Sequence, residues 1–193
     1  MNLIFATNNR HKLSEVNQIL GDAIELTTLA ECGITEDIPE TSPTIEGNAL
    51  QKARYVWERT GRSCFADDTG LEVDVLNGAP GVRSARYATD GHDFEANVTL
   101  LLRNLEGVTE RSAQFRTVVA LILDGEEYLF EGIVRGHITN ERFGEGGFGY
   151  DPVFVPEGEV MTFAEMSPEA KNAISHRGRA MAKLAEWLAE RAK

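Results

Sequence analysis

The strongest constraint in this chain is an apolar run that stops on two adjacent carboxylates: Cys64-Phe65-Ala66 leads directly into Asp67-Asp68-Thr69-Gly70. Successive strand side chains face opposite ways and an unpaired buried charge is costly, so Asp67 and Asp68 cannot both point into a core, and one is expected to face a cleft. Thr69 and Gly70 are then expected to turn the chain sharply, leaving oxygen ligands and backbone N–H groups at the strand end. Such a place suits a hard cation such as Mg²⁺, which takes one or two carboxylates plus substrate phosphates. The same four residues can equally form a polar turn between strands. Beyond Leu71 to Leu76, the turn-forming run Asn77-Gly78-Ala79-Pro80-Gly81 delivers Arg83, Arg86 and Tyr87.

Short apolar runs alternate with helical spacings on both sides of this stretch, which predicts an α/β chain. Asn2 to Ala6 reads as a strand, and Leu13, Val16, Ile19 and Leu20 mark a helix after the polar turn Thr7-Asn8-Asn9. That turn can cap the helix, whose N–H groups and dipole favour an anion at its start. Lys12 lies within the first turn, where the dipole disfavours a cation, so its placement suggests that it reaches for a bound anion. Ile24 to Thr28 reads as a second strand and the acidic segment Glu31 to Pro43, with Glu40, as a loop. A helix is expected from Thr44 or Ile45 to Thr60, with Lys52 off its packed side and Gly61 as its cap. This order brings Glu40, Lys52 and Asp68 within reach of one cleft. A further helix over Asp93 to Leu105 precedes strands Gln114 to Leu123 and Tyr128 to Ile138, joined around the hairpin signal Asp124-Gly125.

Gly144-Glu145-Gly146-Gly147-Phe148-Gly149 formally matches a dinucleotide-binding fingerprint, but that fingerprint must open a helix. Here Tyr150-Asp151-Pro152 follows, and Pro152 holds Asp151 extended. What is left is a glycine loop presenting Phe148, Tyr150 and Asp151, able to lay a ring on a nucleobase. Ser167-Pro168-Glu169 starts a short helix that carries Lys171, and Ser175-His176-Arg177-Gly178 opens the last one. His176 and Arg177 thus sit where a helix dipole does not favour them, which suggests another duty.

With 193 residues the chain can bury a proper core, as one α/β domain or as two lobes around one sheet. The net charge of -12 excludes a nucleic-acid polymer or an anionic membrane as the expected partner, while a few local lysines with a divalent cation can still take a small polyanion. Two cysteines, Cys32 and Cys64, are too few for a disulfide framework. The N-terminus enters structure directly and no apolar run reaches membrane-spanning length, so a soluble cytoplasmic protein is expected.

Four segments together, Thr7-Asn8-Asn9 with Lys12, the block from Phe65 to Ala88, Gly146 to Pro152, and Lys171 with Ser175 to Gly178, resemble the inosine triphosphate pyrophosphatase family, also known as Ham1-like, over nearly the whole chain. The chain departs from the family at Thr41-Ser42-Pro43, where relatives often carry a glycine, and at Arg83, where an aromatic is common. The resemblance implies one pyrophosphatase domain over residues 1–193, two-lobed around a long mixed β-sheet with flanking helices, with the active-site cleft between the lobes, assembled as a homodimer. It implies hydrolysis of ITP, dITP and XTP to the monophosphate and pyrophosphate. Glu40 and Asp68 would hold Mg²⁺, with Asp68 also the general base. Lys12, Lys52 and the turn Thr7, Asn8 and Asn9, with Thr69 nearby, would meet the phosphates. Phe148, with Gly149 and Tyr150, would stack on the purine, and Asp151, Lys171, His176 and Arg177 would surround its edges. A related pyrimidine-directed pyrophosphatase lacks the Phe148 to Asp151 and Ser175 to Arg177 segments. A nucleotide sensor without turnover would have no reason to keep Asp68 beside Glu40, Lys12 and Lys52.

Overall fold

The structure, a computed structural model of the chain, describes residues 1–191. Five α-helices and seven strands follow one another, with short 3-10 turns between them, as β1 (Asn2–Phe5), α1 (Arg10–Leu20), β2 (Glu25–Thr27), α2 (Ile45–Thr60), β3 (Cys64–Val73), β4 (Pro80–Gly81), α3 (Phe94–Asn104), β5 (Ser112–Leu123), β6 (Glu126–Ile138), β7 (Phe154–Pro156), α4 (Pro168–Ile174) and α5 (His176–Arg191). The sheet is mixed, in the order β2-β1-β3-β5-β6-β7 with β4 on β3. β1 runs parallel to both β2 and β3, while β4 and β7 run antiparallel to β3 and β6.

Local chemistry sets the ends of these elements. The Asn9 side chain accepts from the N–H groups of His11 and Lys12 and starts α1. Thr44 starts α2 through the Gly47 N–H, and Gly61, left-handed at φ 63°, ends it by donating to the Trp57 carbonyl. Asp124 and Gly125 both take positive φ, which is what a two-residue turn between twisted strands demands. Pro168 sits in the first turn of α4, behind the Ser167 cap.

Two expectations fail. Asp151 is not held extended before Pro152: with its carboxylate held by the Phe148 N–H and by Lys171, it begins a 3-10 turn over Asp151–Val153 that the Val153 N–H closes on the Tyr150 carbonyl. Thr69 and Gly70 do not turn the chain, because β3 continues through them to Val73. The Leu71 N–H donates to the Ser84 hydroxyl, Leu71 and Glu72 pair with Gly81 and Pro80, and Leu71 and Val73 enter a core. Alternating apolar side chains with partners outweigh the turn tendency of a threonine-glycine pair.

The chain divides into two compact units. The first comprises Met1–Asp68, Thr117–Gly132 and the chain from His176 onward. Its core joins Leu3, Phe5 and Phe65 to Val16 and Leu20 of α1 and to Ala180, Met181, Leu184 and Leu188 of α5. Phe5 and Phe65 stack with centroids 4.6 Å apart. The second comprises Thr69–Arg116 and Ile133–Ser175, with Leu71, Val98, Leu101, Phe115, Phe154 and Phe163 at its centre.

Candidate active site

In the first unit β3 presents its two carboxylates to different partners. Asp67 is 1% exposed, and its Oδ1 lies 3.1 Å from Lys12 Nζ while its Oδ2 accepts from Arg177 Nε at 3.0 Å. Lys12 comes from the first turn of α1 and Arg177 from the start of α5, two helices that pack on each other. Arg177 is also 1% exposed and its Nη1 donates to Glu15 at 2.5 Å. Glu15 lies three residues beyond Lys12, on the same side of α1. The anion that Lys12 reaches for within the folded chain is therefore Asp67.

Asp68 belongs to a second group. Lys52, buried on α2, donates to Glu40 Oε1 at 2.7 Å and to the Asp67 carbonyl at 2.6 Å, and stands 3.9 Å from Asp68 Oδ1. The other Asp68 oxygen, Oδ2, is buried and has no hydrogen-bond partner. Such an atom is costly to bury unless a ligand satisfies it. The Thr7 hydroxyl accepts from the Asn9 N–H at 3.1 Å, and this fixes the turn that starts α1, with Asn8 exposed.

Charge separates the two aspartates. Burial alone would push the Asp67 carboxyl up, but Lys12, Arg177 and Lys52 outweigh it and hold the group well below the usual carboxylate range. Asp68 goes the other way. Burial raises it, Glu40 and Asp67 add to the rise, and Lys52 and Lys12 only partly offset it. Lys12 is lowered by burial despite Asp67, whereas Lys52 is raised because Asp68, Glu40 and Asp67 overcome its burial. One aspartate is a fixed anion, and the other is a stronger base than an ordinary carboxylate.

The charge balance of these residues bears on a divalent cation. Lys12, Lys52 and Arg177 bring three positive charges, against four negative charges on Glu15, Glu40, Asp67 and Asp68. These seven side chains together are formally negative by one charge. A divalent cation reverses that sign. Among the described residues no set of three or more His, Cys, Asp or Glu side chains is placed to hold a metal. Mg²⁺ bound through one or two carboxylates and substrate phosphates needs no such set. Glu40 and the unpartnered oxygen of Asp68, both beside Lys52, fit that kind of ion.

The second unit holds the other predicted residues. Asp151 Oδ2 accepts from the Phe148 N–H at 3.1 Å and from Lys171 Nζ at 2.6 Å, and Asp151 and Lys171 are both buried. The Lys171 ammonium lies 4.9 Å from the centroid of the half-buried Phe148 ring and 5.8 Å from that of Phe163. Gly147 takes φ 66°, and a Cβ there would run into the Asp151 carboxylate. Tyr150 is buried, with its hydroxyl donating to the Ser84 carbonyl at 2.7 Å, and burial raises its phenol. That geometry makes Tyr150 a support of the loop. Gly149 is left-handed at φ 60°, and Thr69 is half-buried at the start of the unit.

The structure thus gathers Lys12, Lys52, Glu40, Asp68 and Arg177 in the first unit, and Phe148, Gly149, Tyr150, Asp151 and Lys171 in the second. His176 lies in the first unit, buried at the start of α5. Sequence reasoning gave no role to Asp67, the hub of the first group, or to Glu15. The adjacency of Asp67 to Asp68 was its one signal, and Glu15 offered only its helical spacing from Lys12.

A model of the Ham1 family matches residues 3–187. The chain belongs to the Ham1 family. Among its relatives is a protein of Porphyromonas gingivalis named dITP/XTP pyrophosphatase, 56% identical over 96% of each chain. One of the same name from Flavobacterium johnsoniae is 50% identical over 97% of this chain and 98% of its own. The solved structure of a Ham1 protein from Coxiella burnetii superposes with a TM-score of 0.90, at 38% identity, over 98% of this chain and 99% of that one. The mixed sheet with flanking helices is therefore the fold of this Ham1 chain. Among the described residues no helix is long and apolar enough to cross a membrane.

Proposed function

We propose that this chain hydrolyses ITP, dITP and XTP between the α- and β-phosphates, releasing the monophosphate and pyrophosphate. The observation that carries the reading is Asp68, a buried carboxylate with an unpartnered oxygen, set beside Lys52 and Glu40. Asp68 orients the attacking water and takes its proton through the buried oxygen that the folded chain leaves unpartnered. Glu40 and Asp68 would hold Mg²⁺, which would supply charge neutralisation for an in-line displacement. Lys12 and Lys52 meet the phosphates, and the turn Thr7, Asn8 and Asn9 with Thr69 offers them hydroxyl, amide and N–H groups. Asp67 holds Lys12 and Arg177 in place.

Phe148 stacks on the purine, Gly149 and Tyr150 shape its loop, and Asp151, Lys171, His176 and Arg177 surround the base edges. Hypoxanthine and xanthine carry a 6-carbonyl where adenine carries an amino group. Donors placed for the carbonyl are left unpaired by ATP, at about 1 to 3 kcal/mol for each buried group. Arg177 is proposed as one such donor. Two of its nitrogens are bonded to Asp67 and Glu15, an arrangement that supports a fixed orientation for the guanidinium and also a second duty as the anchor of Asp67.

The substrate class supports a cytoplasmic enzyme, and the family resemblance supports a homodimer, to be checked by light scattering on the eluted protein. The direct test is phosphate release in the presence of inorganic pyrophosphatase, with ITP, XTP, GTP and ATP compared. Turnover of ITP and XTP well above ATP is expected. Equal turnover of ATP would overturn the base assignment, and no turnover of any of the four would overturn the activity.

A further inference from the structure

Phe94 is the first residue of α3, an unusual place for a large aromatic, since its ring belongs neither to the second unit's core nor to the partly buried side chains packed on that core. Its contact is with the glycine loop. The centroids of Phe94 and Phe148 lie 6.0 Å apart with the planes tilted by 47°, within the range of attractive aromatic pairs. Both ends of this contact are held. Asp93 caps α3 through the Ala96 N–H at 3.0 Å. Arg142, just before the loop, donates to the Glu95 carbonyl at 3.0 Å and to the Thr99 hydroxyl at 2.9 Å, with its Nε 3.4 Å from the Glu95 carboxylate. The loop itself is closed by the Phe143 N–H on the Pro152 carbonyl at 2.8 Å and the Gly146 N–H on the Ala164 carbonyl at 3.0 Å. Asp151 holds the Phe148 backbone and Lys171 stands over its ring, while Phe94 touches the ring from a third element, α3.

We propose that Phe94 is a positioning residue for purine binding: it fixes the tilt of the Phe148 ring through the aromatic contact, with Arg142 tying α3 to the stem of the loop. The proposal rests on the reading that Phe148 stacks on the base. A loosened ring loses stacking in both the ground state and the transition state, so the effect falls on KM and leaves kcat nearly unchanged. Inorganic tripolyphosphate, which has no base, is indifferent to it.

The test measures kcat and KM for ITP, and inhibition by inorganic tripolyphosphate, with Mg²⁺ present, for the parent, Phe94→Ala, Phe94→Tyr, Phe148→Ala and the double alanine variant. Phe94→Ala is expected to raise KM about 3- to 10-fold, the scale of one aromatic pair, with kcat within about twofold. Its tripolyphosphate inhibition should match the parent, Phe94→Tyr should restore KM, and the double variant should be no worse than Phe148→Ala alone. If Phe148→Ala raises KM and Phe94→Ala does not, the inference is wrong while the stacking reading stands. An equal weakening of tripolyphosphate inhibition in Phe94→Ala would also overturn it, as general damage to the site. A parental KM in Phe148→Ala would bring down the stacking reading itself.

Discussion

Each unit of this Ham1 chain buries lysine against aspartate, yet the two settings differ in kind. In the first, Lys12, Lys52 and Arg177 interlock with Asp67, Asp68, Glu15 and Glu40, and the group is formally negative by one charge. In the second, Lys171 and Asp151 form one neutral pair beneath Phe148 and Phe163. An anionic cluster that a divalent cation turns positive suits a polyphosphate. A neutral, aromatic-walled pair suits an uncharged ring with polar edges. The contrast teaches that burying an ion pair does not by itself define a site: the charge balance around it and the surfaces beside it decide what it can bind.

Removing the metal should give the largest effect. With excess EDTA, pyrophosphate release from ITP is expected to fall to background and to return on adding Mg²⁺; full activity in EDTA would break the assignment of Glu40 and Asp68. Asp68→Asn comes next. It keeps the shape while removing a base and a negative charge, and a loss in kcat of about 10³-fold is expected, the middle of the range for a positioned general base. ITP binding by calorimetry should persist. Parental turnover in this variant would remove Asp68 from the chemistry.

Asp67→Asn asks whether the neighbouring aspartate is structural. It leaves Lys12 and Arg177 without their shared counter-charge, and urea unfolding should show a loss of about 3 to 5 kcal/mol, the scale for breaking a buried pair. The pH dependence has a definite sign. Because the folded-state pKa of Asp67 is depressed, its stabilisation is present above the unfolded value of about 4 and disappears as pH falls through the lower folded value. The stability gap between parent and Asp67→Asn should therefore be full at neutral pH and shrink in acid. A gap that widens in acid would contradict the pairing.

Local chemistry was legible in the sequence wherever a few neighbouring residues decide the outcome. The caps Asn9, Thr44, Gly61 and Ser167 and the Asp124-Gly125 hairpin form where their side chains or positive φ angles require. The glycine loop opens no α-helix, but Asp151 was misjudged: it begins a single 3-10 turn over Asp151–Val153 instead of lying extended before Pro152. The course of β3 beyond Asp68 was not legible, because its partners, Ser84 and the Pro80-Gly81 strand, lie across a turn whose geometry no spacing reveals. The pairing of Asp67 with Arg177 joins residues 110 positions apart, and Glu15 with Arg177 joins residues 162 apart. Such pairs are set by the packing of α1 on α5, so the candidate site was visible as a list of residues and not as a network.

The sharpest measurement compares kcat/KM for ITP and ATP in the parent, Lys12→Ala and Arg177→Ala. Disturbing Asp67 lowers both nucleotides alike, so only the ratio reports on the base. Lys12→Ala should lower the two by similar factors and leave the ratio unchanged. Arg177→Ala should lower the ITP-to-ATP ratio by about 10- to 100-fold, the worth of one buried donor to the 6-carbonyl. Parallel losses in Arg177→Ala would contradict this assignment and leave Arg177 as the anchor of Asp67 alone.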